Sequence, residues 1–523
     1  MRATGVGARA AIPTPMLALL LFGWLASSAW LRPLALPDEG RYVGVAYEML
    51  SSGDWLVPTL DGLPYFHKPP LFYWLTAASL ALFGINEFAA RLPSLLAATG
   101  SALTVFWFMR RWTGGAPARL TLLILATTPF FFGGAQFANL DMLVAALIGC
   151  TVLTAADAVL AAEEGRPRRQ TLLAAYALAA LAVLAKGLIG VAIPVLVVGT
   201  WLVCTGRPAM MLRLVSAPGA ALFALIVVPW FALIAHRYPL FLHYFFVHHH
   251  FERYTSGDFN GRQPFWFYLP VLAGFTLPWF VFLPRALRPI RAASAPEDAV
   301  AGRVVALMWS WLIATLLFFS IPQSKLIGYV LVAVPPMAVL CAHGLGQYAG
   351  AGIDLRRWTA RLAALAVGIC AVVLTGTTYY ERHNVRQLLV GIRPLLGAGD
   401  RIIALHGYPF SLPFYLRLGA PLGVVEDWDR PQLLRKDNWR KELSEAAAFA
   451  DPALAHAILL TPAQLARHLA CAHDHALFLI ADERLAAGYP EVARLPRVAS
   501  LGRYGVWQSR PVGTVAAAAA CGT

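Results

Sequence analysis

The chain has 523 residues, 59% of them hydrophobic and only 13% charged. This excludes an ordinary soluble domain, in which roughly a quarter of the residues are charged, and points to a protein with many membrane spans. The net charge of +14 would suit a nucleic-acid binder, but the arginines lie mainly in short loops between apolar runs, where the positive-inside bias of membrane topology accounts for them. Six scattered cysteines show neither a disulfide framework nor a metal-ligand spacing.

In chain order, Arg2 and Arg9 precede an apolar run that is long for a cleaved signal, so residues 15–36 read as an uncleaved first span with its N-terminus in the cytoplasm. A polar stretch, LPDEGRYVGVAYEMLSSGDWLVPTLDGLPYFHKPP, follows from Leu36 to Pro70. Within it Val43, Ala46, Tyr47 and Leu50 recur at helical spacing, predicting an amphipathic helix over Asp38 to Ser51. Pro69 to Phe83 is apolar but short and reads as a second interfacial helix, so residues 37–90 form a first external loop. A span needs about twenty apolar residues. On that criterion ten more spans follow the first, near 91–110, 119–136, 140–161, 171–186, 188–204, 214–235, 266–284, 303–320, 326–347 and 358–378. Arg110, Arg111, Arg166, Arg285 and Arg356 then fall in cytoplasmic loops, which fixes the orientation and puts the C-terminus outside.

The expected fold is an α-helical polytopic membrane protein, with residues 1–378 as the membrane domain. Residues 379–510, where acids, Pro and Gly return, read as a small periplasmic α/β domain, and the Ala-rich 511–523 as a disordered tail. Strands are predicted at Arg401 to Leu405, Leu422 to Val425, Ala476 to Ile480 and Gly505 to Gln508, and helices at Arg435 to Ala450 and Pro462 to Ala472. The GAGD at Gly397 to Asp400 precedes a strand, whereas a dinucleotide fingerprint follows one, so it reads as a loop.

With this topology, ionisable residues outside the cytoplasmic loops gather at one face: the first loop, Asn139 to Asp141, Lys186, His236 to Arg262 and Lys325. Such groups are costly beside a bilayer, so their convergence marks a working surface. It suits a substrate with a phosphate head, a sugar and a lipid tail. Lys and Arg hold the phosphate, aromatics stack on the sugar, and a carboxylate handles a proton or orients a hydroxyl. Each residue alone also has a plainer role. Asp38 after Pro37 and Asp141 beside Asn139 suit helix caps; Lys68 reads as a snorkelling side chain and Lys325 as a span-end anchor; Tyr65 and Tyr329 suit an interfacial aromatic belt. Lys186 is an anchor or a contact. His248, His249 and His250 tempt a metal reading, but adjacent histidines point in different directions. The residues indicate no cofactor, and a divalent metal stays open.

LPDEGRY, the following EMLSSGDWLVPTLDGLPYFHKPPLFYW, NLDM at Asn139 to Met142, HYFFVHHHFERY at His243 to Tyr254, PFWFYLPVLAGFTLPW at Pro264 to Trp279 and SKLIGY at Ser324 to Tyr329 resemble the lipid A aminoarabinose (4-amino-4-deoxy-L-arabinose) transferases. These belong to the protein O-mannosyltransferase-related branch of GT-C glycosyltransferases. The likeness runs in order from about residue 15 to 335 and is most specific in the first loop. It implies a multi-pass bacterial inner-membrane enzyme that inverts a sugar as it moves it, at the periplasmic face, from undecaprenyl phosphate to lipid A (lipopolysaccharide) or another periplasmic acceptor. The resemblance makes Asp38 the essential carboxylate and Asp141 a second acid. It places Arg41, Lys68, Tyr65, Tyr329 and Lys325 about the donor, with His250 and Arg253 as a His-x-x-Arg pair and Glu39, His67 and Lys186 in a second tier.

Two departures bear on this. His67 stands where the family commonly has an acid, and two spans of the larger members are missing before the soluble domain. Acceptor choice is therefore less defined than the donor class, and a protein or glycan O-glycosyltransferase of the same branch is the alternative. A lipid-linked sugar flippase is the rival class, but transporters place ionisable groups near the midplane and show repeats.

Overall fold

A computed structural model describes residues 13–252, 262–288, 296–348, 354–380, 385–397, 399–430, 438–470 and 475–509. Up to residue 237 the helices are α1 (Thr14–Ala26), α2 (Asp38–Ser52), α3 (Leu71–Phe83), α4 (Glu87–Thr113), α5 (Gly115–Thr127), α6 (Pro129–Ala135), α7 (Leu140–Glu163), α8 (Arg169–Lys186), α9 (Ile189–Cys204) and α10 (Ala217–Arg237). A π-helical turn at His243–Glu252 precedes α11 (Tyr268–Phe275), α12 (Pro296–Ser320), α13 (Val334–Gly346) and α14 (Leu355–Tyr380). Among the described residues seven helical segments are long and apolar enough to cross a membrane, and nine if each of two bent pairs counts as one span.

All eleven predicted spans coincide with helical segments, but four are shorter or broken. α1 and α9 have 13 and 16 residues, below the length a span needs. α5 and α6 meet at 65° because Thr128, which precedes a proline, is pushed into an extended conformation (ψ 120°). Phe265–Phe275 and Trp279–Leu287 meet at 117° around Thr276 to Pro278. Both bends thus fall at a proline, although Pro93, Pro194 and Pro229 sit inside continuous helices.

The first loop follows its local chemistry. α2 starts directly after Pro37 with two acids in its first turn, which the helix dipole favours, and stops at Gly53 in the left-handed region (φ 74°). A two-stranded hairpin, β1 (Thr59–Leu60) and β2 (Leu63–Pro64), turns on Asp61 and Gly62, both with positive φ as a type I′ turn requires. The periodicity predicts one apolar face on α2, yet Gly40, Val43, Gly44, Val45, Ala46 and Met49 are all buried. The second face is covered by residues 410 and 411. A Cβ at Gly44 would sit 2.7 Å from the Phe410 carbonyl oxygen, so only glycine allows the approach.

Residues 401–508 form one six-stranded sheet in the order β5 (Leu459–Leu460), β4 (Gly423–Val425), β3 (Arg401–Leu405), β6 (Leu477–Asp482), β8 (Tyr504–Gln508), β7 (Arg497–Leu501). β3 is parallel to β4 and β6, β4 is parallel to β5, and β8 runs antiparallel to β6 and β7. The four predicted strands are present, whereas β5 is two residues long and β7 is mostly half-exposed with an irregular pattern, so neither carries a signal. The predicted helices appear as Trp439–Ala447, hereafter α15, and Pro462–Ala470. The GAGD loop precedes β3. Residues 511–523 lie outside the described residues.

Candidate functional site

Asp38 opens α2, and its side chain caps nothing there: it accepts from Arg41 at 2.6 Å, one turn along the helix. Arg41 is mostly buried, lies over the Tyr42 and Phe410 rings and also bonds Glu442 of α15. The other oxygen of Glu442 accepts the Tyr65 hydroxyl at 2.8 Å. One turn along α15, Glu445 lies 3.0 Å from His67 Nε2 and accepts the Tyr244 hydroxyl at 2.8 Å. Tyr65 and His67 stack with ring centres 4.4 Å apart. The first loop and the sheet-bearing part thus share one charged cluster. Asp38 keeps 49% of its side-chain exposure. The surrounding protein raises its pKa first by desolvation; Arg41 opposes this, and the nearby charges of Asp141, Glu442 and Glu39 add to the rise.

Glu39, the second acid of the pair, has a different task. It is fully buried and paired with Arg32 and, through both oxygens, with Arg91 at 2.8 and 2.9 Å; it also accepts the backbone N–H groups of Ala35 and Ala138. Burial alone would raise its pKa, but Arg91 and Arg32 hold the carboxyl at about 2. Arg91 further donates to the Ala29, Arg32 and Pro33 carbonyls. Glu39 therefore knots the end of the first apolar segment, α4 and the strand of chain leading to Asn139.

That chain delivers the second acid. The Asn139 side chain caps α7 by accepting the Asp141 N–H, which leaves the Asp141 carboxylate for Lys186 at 2.6 Å. Lys186 lies 4.5 Å from the centre of the Tyr329 ring. Gly328 completes the contact, since a Cβ there would stand 2.3 Å from Asp141 Oδ2. Tyr329 and Asp141, predicted separately, are brought together by Lys186. Lys325 is buried and donates to the Gln263 carbonyl at 3.1 Å and to that of Pro322. Lys68 is half-buried in the loop. The His250 side chain and Arg253 lie outside the described residues, and among the described residues no three His, Cys, Asp or Glu side chains converge as a metal set.

Glu442, Glu445 and Tyr244 do not stand out in the sequence. The only signal for the glutamates is their spacing on a helix of large amphipathic character, KELSEAAAF, which reads equally as a solvated surface. The cluster offers cations for an anionic oxygen, flanking tyrosines and an exposed carboxylate, as phosphate-linked sugar transfer requires.

Residues 67–232 match the family model of dolichyl-phosphate-mannose-protein mannosyltransferases. An undecaprenyl phosphate-α-4-amino-4-deoxy-L-arabinose arabinosyl transferase of Erwinia tasmaniensis is 34% identical over 398 residues, covering 72% of this chain and 70% of that one. The counterpart from Aeromonas salmonicida is 35% identical over 365 residues, covering 68% of this chain and 64% of its own. The crystal structure of ArnT from Cupriavidus metallidurans bound to undecaprenyl phosphate aligns with a TM-score of 0.78 at 26% identity, covering 94% of this chain and 96% of that one.

Proposed function

Since the chain belongs to the family of undecaprenyl phosphate-α-4-amino-4-deoxy-L-arabinose arabinosyl transferases, we propose that it moves aminoarabinose from undecaprenyl phosphate to a phosphate of lipid A. An oxygen of the acceptor phosphate attacks the anomeric carbon from the face opposite the donor phosphate. The bond from that carbon to the donor oxygen breaks, configuration inverts, and undecaprenyl phosphate leaves. The acceptor is already anionic and needs no base, so Asp38 orients it or stabilises positive charge developing on the sugar. Arg41, Tyr65 and Lys68 serve the donor phosphate, and the Asp141–Lys186–Tyr329 group closes the site beside them. Lys325, His250 and Arg253 complete the donor surroundings.

In this reading residues 1–378 are the membrane domain and 379–510 a periplasmic domain, with the N-terminus in the cytoplasm and the site at the periplasmic face of the inner membrane. The observation that supports it most is the half-exposed Asp38 carboxylate held against Arg41 within reach of the Asp141 charge.

The test is mass spectrometry of lipid A and of undecaprenyl-phosphate sugars from cells with and without the protein. An aminoarabinose mass on lipid A that vanishes on deletion while donor accumulates is the expected result. Accumulating donor with unchanged lipid A would move the acceptor to another glycan or a protein. With purified components, Asp38→Asn is expected to lose roughly a hundredfold or more in kcat; normal turnover by this variant would overturn the assignment.

A further inference from the structure

The sheet of residues 401–508 reverses direction of growth at β3: β4 and β5 extend it to one side and β6 to the other, all four parallel. In open α/β sheets, the crevice outside the carboxyl ends of the strands at such a reversal is where ligands bind. Here that crevice is a recess of about 450 Å³, within the range of small-ligand sites. Its walls are the residues that follow β3 (His406 to Phe410), the end of β6 (Ile480 to Asp482), and Arg503 and Tyr504 of the next hairpin. Trp439 and Leu485 also line it, as do Leu36 and Pro37, the two residues immediately before Asp38. Phe410 faces both ways, lining the recess and lying against the Arg41 guanidinium.

A larger recess, about 910 Å³, lies at the opposite ends of the strands, around Asp400, Arg401 and Leu477, and none of Leu36, Pro37 or Phe410 lines it. Position therefore favours the smaller one. Its chemistry does so too. Asp482 and Arg503 approach to 3.5 Å at the rim, and Arg503 also bonds the Tyr504 hydroxyl at 3.1 Å and lies over its ring. A carboxylate, a guanidinium and an aromatic face are the groups that hold a pyranose: hydroxyls to the first two, the ring on the third. Behind them His406, in a left-handed conformation (φ 49°), is braced by Glu426 at 2.7 Å and Tyr489 at 2.6 Å, which fixes the wall.

We infer that this switch-point recess receives the sugar ring of the acceptor that carries the reacting phosphate, presenting that phosphate to Asp38 across Leu36 and Pro37. The inference rests on the lipid A reading above and makes the soluble part an acceptor-binding element.

The test is steady-state kinetics of the full-length protein in lipid nanodiscs with aminoarabinosyl undecaprenyl phosphate and lipid A. Arg503→Ala removes an exposed donor, and Leu485→Trp fills the recess from an exposed wall. Both are expected to raise the KM for lipid A about tenfold while leaving the KM for the donor unchanged, a split that misfolding would not produce. A wild-type protein that transfers to lipid A, with both variants unchanged in acceptor KM, would overturn the inference and leave the function standing. A wild-type protein that consumes donor but ignores lipid A would overturn both.

Discussion

Glu442 shows how much one side chain can organise. It is almost fully buried and divides its two oxygens between Arg41 and Tyr65, so it fixes the guanidinium that also holds Asp38. Glu442→Gln keeps the shape and removes the charge. It is expected to lower kcat by roughly tenfold to a hundredfold, the value of a charge-assisted hydrogen bond, in protein that still purifies as a single species. Glu39→Gln should behave differently. It breaks a buried double pair with Arg32 and Arg91, so it is expected to cost on the order of 3–5 kcal/mol of stability, read as a lowered melting temperature and poor yield. Adjacent acids in one motif thus separate into a half-exposed one, the working group of the function proposed above, and a buried, paired one. In the sequence, only the family resemblance ranks Asp38 above Glu39; their spacing alone does not distinguish them. Asp141 is legible as an acid at a helix start, and its release from capping depends on Asn139 two residues earlier, which the motif NLDM already contains.

At the scale of elements, the helical spans are readable because a run of about twenty apolar residues is too long for most soluble cores and matches the thickness of a bilayer. Where the chain breaks a run, the cause is also in the sequence: Pro129 follows Thr128, and Pro278 sits in the second bend. The role of α15 is not legible, because nothing local says that a charged helix of residues 439–447 will meet Arg41 some four hundred positions earlier. Glycines carry hidden information of the same kind. Gly44 and Gly328 look like ordinary small residues, yet each marks a place where another segment comes too close for a Cβ. Gly328→Ala is expected to push Asp141 away from Lys186 and reduce kcat at least tenfold with little change in melting temperature, measured side by side on purified protein.

For the molecule as a whole, the joint between the first loop and the sheet-bearing part should respond to pH. Glu48 is half-buried beneath the hairpin, bonded to the Thr59 hydroxyl and to the N–H groups of Asp61 and Gly62. Asp61 accepts the Leu422 N–H at 2.9 Å, and Tyr408 lies close by. Burial raises the Glu48 carboxyl to about 7 and pushes Asp61 up as well. Because the folded pKa exceeds the unfolded one, the joint prefers the protonated acid. Its contribution is complete below about pH 4.5 and is lost as pH rises through about 7, on the order of 3 kcal/mol for Glu48. Hydrogen-exchange protection at residues 59–64, corrected for the intrinsic rise of exchange with pH, is expected to fall between pH 5 and about 8, and Glu48→Gln to flatten that slope.

The pairing of α15 with the first loop has a consequence for modularity. The sheet-bearing part looks like a detachable unit, with its own strands and its own small apolar cluster. Yet one of the two counter-ions of Arg41 and the acid beside His67 belong to it. Cutting the gene after the last long helix would take Glu442 from both Arg41 and Tyr65 rather than yield a smaller enzyme with its site intact. For the same reason, a chimera carrying a homologue's C-terminal region should be active only when that region supplies an acid where Glu442 stands, so the two halves are expected to be inherited together.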